Sequence, residues 1–152
     1  MNISIGYYIW LSFLSGVIGT AGMTLLLFAM TKSNVINVDL LGALGSLFTK
    51  KLSSATRVGL MIHAVVGIIF AFIYVLIISA FKINTFINCI GAGILIGFIH
   101  ASLVSFLLVP SVAESHPIKK FQKEGFVVAF SYWTAHILYG FLIGLVIGMT
   151  KI

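Results

Sequence analysis

The sequence predicts an all-α integral membrane protein: four transmembrane helices in an antiparallel bundle, with a short amphipathic helix lying at the interface. Three observations carry that expectation. Hydrophobic residues make up 61% of the 152-residue chain, only three residues are acidic, and four apolar stretches run over about 7–30, 58–80, 86–109 and 126–149. Each stretch exceeds the ~20 residues that cross a hydrocarbon core. None contains Asp, Glu, Lys or Arg. Such a composition excludes a soluble domain, and residues 1–152 read as a single membrane domain.

The first stretch, Tyr7 to Met30, lacks the basic n-region of a secretory signal. Its apolar run is also far longer than the ~7–15 residues of an h-region, so it reads as a retained helix. The connection after it holds Asn37-Val-Asp-Leu-Leu-Gly-Ala-Leu-Gly-Ser-Leu-Phe-Thr-Lys-Lys51, with Leu40, Leu41, Leu44, Leu47 and Phe48 on one helical face. That pattern predicts a helix over about 37–51, capped by Asn37 and lying on the membrane surface. Ser53-Ser-Ala-Thr56 offers caps for the second span. The short turn Phe81 to Thr85 predicts that spans two and three are antiparallel neighbours. Pro110 is expected to end the third span, because a proline cannot continue the hydrogen-bond ladder. Pro110 to Gly125, with Glu114, His116, Pro117 and several lysines, reads as an ordinary polar loop.

Charge sets the orientation. Lys32, Lys50, Lys51 and Arg57 lie in the first connection and Lys119, Lys120 and Lys123 in the third, against Lys82 and Lys151 elsewhere. The positive-inside rule then places those two connections in the cytoplasm and both termini outside, in a bacterial inner membrane. The formal charge of +6 reads as topology and headgroup contact, with the lipid bilayer as partner and no nucleic acid. Cys89 is the single cysteine, so an intramolecular disulfide is excluded and the thiol reads as a small packing residue.

Three histidines, His63, His100 and His136, sit inside the apolar stretches. An ionisable ring there is costly and normally faces other helices or a cavity. At 1.5 Å per residue they fall roughly 8 Å, roughly 13 Å and roughly 15 Å from the cytoplasmic ends of their helices, which allows one shared layer. Each stands with small residues: Gly59, His63, Gly67 and Ala71; Gly93, Gly97 and His100; His136, Gly140, Gly144 and Gly148. Glycine stripes serve close helix packing. Beside an imidazole they also offer space for a flat ligand, which makes Gly67, Gly97 and Gly140 candidate cofactor-binding positions together with the three histidines. His63-Ala-Val-Val-Gly67 and His136-Ile-Leu-Tyr-Gly140 match at an offset of 73 residues, the mark of a duplicated helix pair.

Four functions suit this pattern. The first is haem b held by His100 and His136, serving electron transfer or cofactor handling, with Arg57, Lys119 or Lys120 near the propionates. A second is a transition-metal ion on His63, His100 and His136, with soft contacts from Met23, Met30 or Met61. In the third, the chain is an accessory or assembly subunit that packs on other membrane subunits or on itself. Its histidines are then interhelical glue and bond to Thr20, Thr24, Ser102, Ser105, Ser131 or Thr134. A small metal-ion transporter ranks last, since no carboxylate lies within a span. No Cys-x-x-Cys-His, nucleophile elbow, phosphate loop or paired carboxylates occur, which weighs against covalent haem and against an enzyme.

Gly19-Thr-Ala-Gly-Met-Thr24, Asp39-Leu-Leu-Gly42, His63-x-x-x-Gly67, Gly97-x-x-His100 and His136-x-x-Tyr139-Gly140 together resemble a family of small bacterial four-helix membrane proteins with a domain of unknown function. The resemblance implies the same architecture and a shared set of histidines, and brings no activity.

Overall fold

The computed structural model describes residues 4–34, 36–122 and 125–150. Lys123 and Lys151, used above for orientation, lie outside them. Six α-helices follow in order: α1 (Ile5–Lys32), α2 (Leu40–Thr49), α3 (Ala55–Ala80), α4 (Phe86–Leu103), α5 (Val109–Glu114) and α6 (Phe126–Thr150). A π-helical turn, Val104–Leu108, joins α4 to α5, and a single 3₁₀ turn, Lys119–Phe121, precedes α6. The described residues form no strand, and four helices are long and apolar enough to cross a membrane.

Burial follows the logic of a helix bundle whose outer face is lipid-like. On α1 the inward side is small or polar, with Ser12, Ser15, Gly16, Gly19 and Thr20 buried, while Phe13 and Leu25 are 57% and 65% exposed. A water-soluble helix would reverse that arrangement. The buried hydroxyls are answered inside their own helix: Ser12 and Ser15 each donate to a carbonyl one turn back at 2.7 Å, as a medium without water demands. Helix α6 is the centre. It packs on α4 and on α1, α1 also packs on α3, and α2 lies on α3, whereas α3 and α4 meet only sparsely. Tyr7 donates to the Thr150 carbonyl, 3.1 Å, and Tyr8 bonds Ser79, 2.6 Å, bringing the start of α1 to the ends of α6 and α3.

Close approach of backbones holds the main contacts. A Cβ on Gly97 would come within 3.1 Å of Gly140 Cα, and one on Gly140 within 2.7 Å of Gly97 Cα. Gly93 and Gly144 meet in the same way one turn along, and Gly148 reaches Phe86. Helices approach this tightly where glycine removes the side chain from at least one of the two backbones. Gly16 of α1 sits equally close to Ile68 of α3, where an added Cβ would meet Ile68 Cα at 2.8 Å.

Two expectations from the sequence change. The third apolar helix runs on past Pro110 to Glu114. The π turn accommodates the proline: the Val109 N–H reaches back to the Val104 carbonyl, and Pro110 then occupies the first turn of α5, where a missing N–H costs little. The amphipathic helix is shorter than 37–51, and its cap is Asp39 rather than Asn37, with the carboxylate accepting from the Gly42 N–H at 2.9 Å. Its buried side is Gly42, Gly45 and Ser46 rather than the leucine face. Gly45 lies against Ala55 and Gly59 so closely that a Cβ would stand 2.7 Å from the Gly59 nitrogen. Ser54 occupies the cap position of α3, but its side chain makes no capping bond.

Asp39 also pairs with Lys120 at 3.0 Å, both groups being partly exposed. Replacing Asp39 by alanine is expected to cost about 1 kcal/mol for the cap and less than ~1 kcal/mol for the exposed pair. Thermal unfolding of the purified variant checks this; no change would show that α2 is held by its glycine contact alone.

Candidate functional site

The leucine face of α2 does have a place. Leu40, Leu44 and Leu47 form one wall of a cavity of about 250 Å³ at the end of the bundle nearest α2. Helix α3 contributes His63, Val66 and Phe70; α4 and its extension contribute His100, Val104 and Leu108; α6 contributes His136 and Tyr139; and α1 contributes Thr20 and Met23. The three histidines singled out in the sequence therefore line a single space. His116 and Phe121 from the loop before α6 line it too, so all four histidines of the chain meet there.

Each ring is held differently. His136 Nδ1 lies 2.7 Å from the Tyr132 carbonyl one turn back on α6. A carbonyl only accepts, so Nδ1 carries the proton and, in the neutral ring, Nε2 keeps a lone pair. His100 Nδ1 is hydrogen-bonded to the Tyr74 hydroxyl of α3 at 3.1 Å, and its ring stacks on Phe70 with centroids 4.2 Å apart and planes 20° from parallel. Tyr139 donates to the Gly67 carbonyl and stands edge-on to Tyr74 at 5.7 Å. His63 Nε2 is buried with no hydrogen-bond partner among the described residues. Thr20 Oγ1 is likewise unpartnered, on a side chain only 6% exposed. It rests against Gly67, where a Cβ would displace it.

His116 corrects the reading of its segment as an ordinary polar loop. It is 3% exposed. Its Nε2 donates to the Ala43 carbonyl of α2 at 3.0 Å, its Nδ1 accepts from the Ile118 N–H at 3.1 Å, and Gln122 bonds its carbonyl at 2.7 Å. With the Lys120–Asp39 pair, this ties the loop to α2 and closes that end of the cavity. The sequence cues were slight: a histidine beside Pro117, and an aromatic residue, Phe121, in a lysine-rich stretch.

The hydroxyls that the sequence offered as histidine partners are engaged elsewhere. Thr24, Ser102, Ser131 and Thr134 each donate to a carbonyl of their own helix, and Ser102 accepts from Trp133 Nε1 at 3.1 Å. Thr20 and Ser105 have no partner among the described residues. Between spanning helices, His100 bonds the Tyr74 hydroxyl. Of the candidate glycines, Gly67 borders the cavity, whereas Gly97 and Gly140 fill each other's space at the α4–α6 contact and leave none for a ligand.

The cavity's chemistry discriminates among ligands. A haem between His100 and His136 needs the two rings apart, across the macrocycle. They stand edge to face with centroids 5.0 Å apart, the spacing of an aromatic pair in direct contact. The site therefore does not fit a haem ligated on both faces, and a cavity of about 250 Å³ is small for a tetrapyrrole on a single ligand. Among the described residues no group of three His, Cys, Asp or Glu side chains is gathered closely enough to hold one metal ion. What remains is an apolar chamber with a few convergent polar atoms, the form of a small-molecule site. Arg57 and Lys119 are exposed, and neither lines the cavity. Comparison with protein-family models, characterised proteins and solved structures gave no match, so the site is read from its own residues.

Proposed function

We propose that this chain is a multi-pass, non-catalytic membrane component that binds a small neutral lipophilic molecule in the chamber beneath α2. The observation that carries the reading is the pair of buried polar atoms without a partner among the described residues, Thr20 Oγ1 and His63 Nε2, on side chains that line one largely apolar cavity. Buried polar groups in folded proteins nearly always have partners, and each left alone costs about 1–3 kcal/mol. A bound molecule or ordered water supplies them. Among the described residues no Asp, Glu, Lys or Arg lines the chamber, and its walls are mainly aliphatic and aromatic side chains, the surroundings a neutral lipophilic molecule prefers. With the charge bias of the sequence, the chamber lies toward the cytoplasmic face, in an antiparallel bundle with both termini outside.

A transition-metal ion is the second reading, and one observation favours it. The Tyr132 carbonyl fixes the His136 ring as backbone carbonyls that accept from the other ring nitrogen fix metal-bound histidines, and Met23 lines the same cavity.

A thermal-shift screen of small neutral lipophilic compounds against the detergent-purified protein tests the proposal. A ligand at a hundred times its Kd contributes about 2.7 kcal/mol, a rise of several degrees, and Val66→Trp, which fills the chamber, is expected to abolish it. Equal shifts in wild type and Val66→Trp would overturn the proposal. Bound metal in the wild type, lost in His136→Ala, would select the second reading instead.

A further inference from the structure

Resting on that cavity reading, we infer that the ligand's head is a flat ring bearing carbonyl or hydroxyl oxygens, of the quinone class, with a hydrocarbon tail lying between α3 and α4.

Flatness follows from the walls. The Phe70–His100 stack and the edge-on His136 ring present aromatic faces and edges in contact geometry, the surroundings that a planar ring packs against best. Size agrees: about 250 Å³ holds one substituted six-membered ring and lies just below the ~300–1,000 Å³ usual for larger ligands.

The polar atoms specify what the ring carries. Thr20 Oγ1 is on a side chain more than nine-tenths buried, and the nearby Gly67 carbonyl already accepts from Tyr139. Neither that hydroxyl nor His63 Nε2 has a partner among the described residues, and both side chains line the chamber. A hydroxyl and a neutral imidazole each donate or accept according to rotamer and tautomer. The pair can thus satisfy a carbonyl oxygen or a phenolic hydroxyl, which are the oxidised and reduced heads of one ligand class. A charged headgroup finds no counter-ion among the described residues that line the chamber, and a plain hydrocarbon would leave both atoms unpaired. Val66 of α3 and Leu108, between α4 and α5, line the chamber and are exposed on the outer surface, so on that side a tail reaches lipid past the Phe70–His100 contact.

The test is equilibrium binding to the full chain in lipid nanodiscs, using a short-tailed alkyl-1,4-benzoquinone and an alkylbenzene of the same tail. Wild type is expected to bind the quinone at least tenfold tighter than the hydrocarbon. Thr20→Val keeps the shape and removes the hydroxyl, and it and His63→Leu should each weaken the quinone about tenfold while leaving the alkylbenzene unchanged. If both probes bind equally and Thr20→Val changes neither, recognition of ring oxygens is wrong while the cavity reading stands. If wild type and Val66→Trp bind each probe alike, or bind neither, the cavity reading falls as well.

Discussion

Replacing Gly140 by leucine is expected to abolish the folded bundle, the largest effect of any single substitution considered. Helix α6 meets α4 backbone to backbone: a Cβ on Gly140 would stand 2.7 Å from Gly97 Cα, and one on Gly93 would stand 2.8 Å from Gly144 Cα. The atoms that must yield belong to a helix, which cannot rotate a side chain out of the way. Overpacking a well-packed core typically costs 1–3 kcal/mol, and forcing two helix backbones apart along several residues is expected to exceed about 3 kcal/mol. Gly91→Leu is the matched control. It adds the same side chain to α4 where nothing lies within 4 Å, so it should leave thermal unfolding close to wild type. Equal transitions for Gly140→Leu and Gly91→Leu would contradict the α4–α6 contact described above.

Replacing His136 by leucine is expected to separate a binding role from a packing role. The ring's hydrogen bond runs to the Tyr132 carbonyl of its own helix, so its loss unties no pair of helices. Stability should fall by no more than about 1–2 kcal/mol, the worth of one hydrogen bond. If its Nε2 lone pair serves a ligand in the chamber, as proposed, affinity should drop roughly ten- to a hundredfold, as removing one hydrogen-bond partner of a buried group does. His100→Leu differs, because it also removes the bond to Tyr74 of α3. It should weaken binding and helix association together. A large stability loss in His136→Leu with unchanged affinity would favour histidines as structural glue.

Much of the site was legible because an imidazole is conspicuous in an apolar stretch. His63, His100 and His136 are marked by their cost in a membrane, and counting rise per residue allows them one shared layer; the structure lines one cavity with all three. What the sequence does not fix is rotation about each helix axis. The His136, Gly140 and Gly144 stripe could not say that Gly140 and Gly144 face α4 rather than a ligand. His116 was passed over because its neighbours are polar, and its burial comes from the distant Ala43 carbonyl. The amphipathic pattern of α2 was clear, yet its leucines were assigned to lipid. The overlooked signal is Gly45 on the opposite side, which lets α2 lie against Gly59 and turns Leu40, Leu44 and Leu47 over the cavity. Pro110 was taken as a stop because a π turn leaves no mark in hydrophobic periodicity.

Native mass spectrometry of the protein released from lipid nanodiscs, wild type beside Val66→Trp, tests most directly whether the chamber under α2 holds a ligand. The expected result is a neutral organic adduct on the wild type that is missing from the filled variant while both give the same helical circular-dichroism spectrum. Identical adduct profiles in the two proteins, or two equally bare ones from membranes supplied with the quinone probe, would contradict a ligand site there.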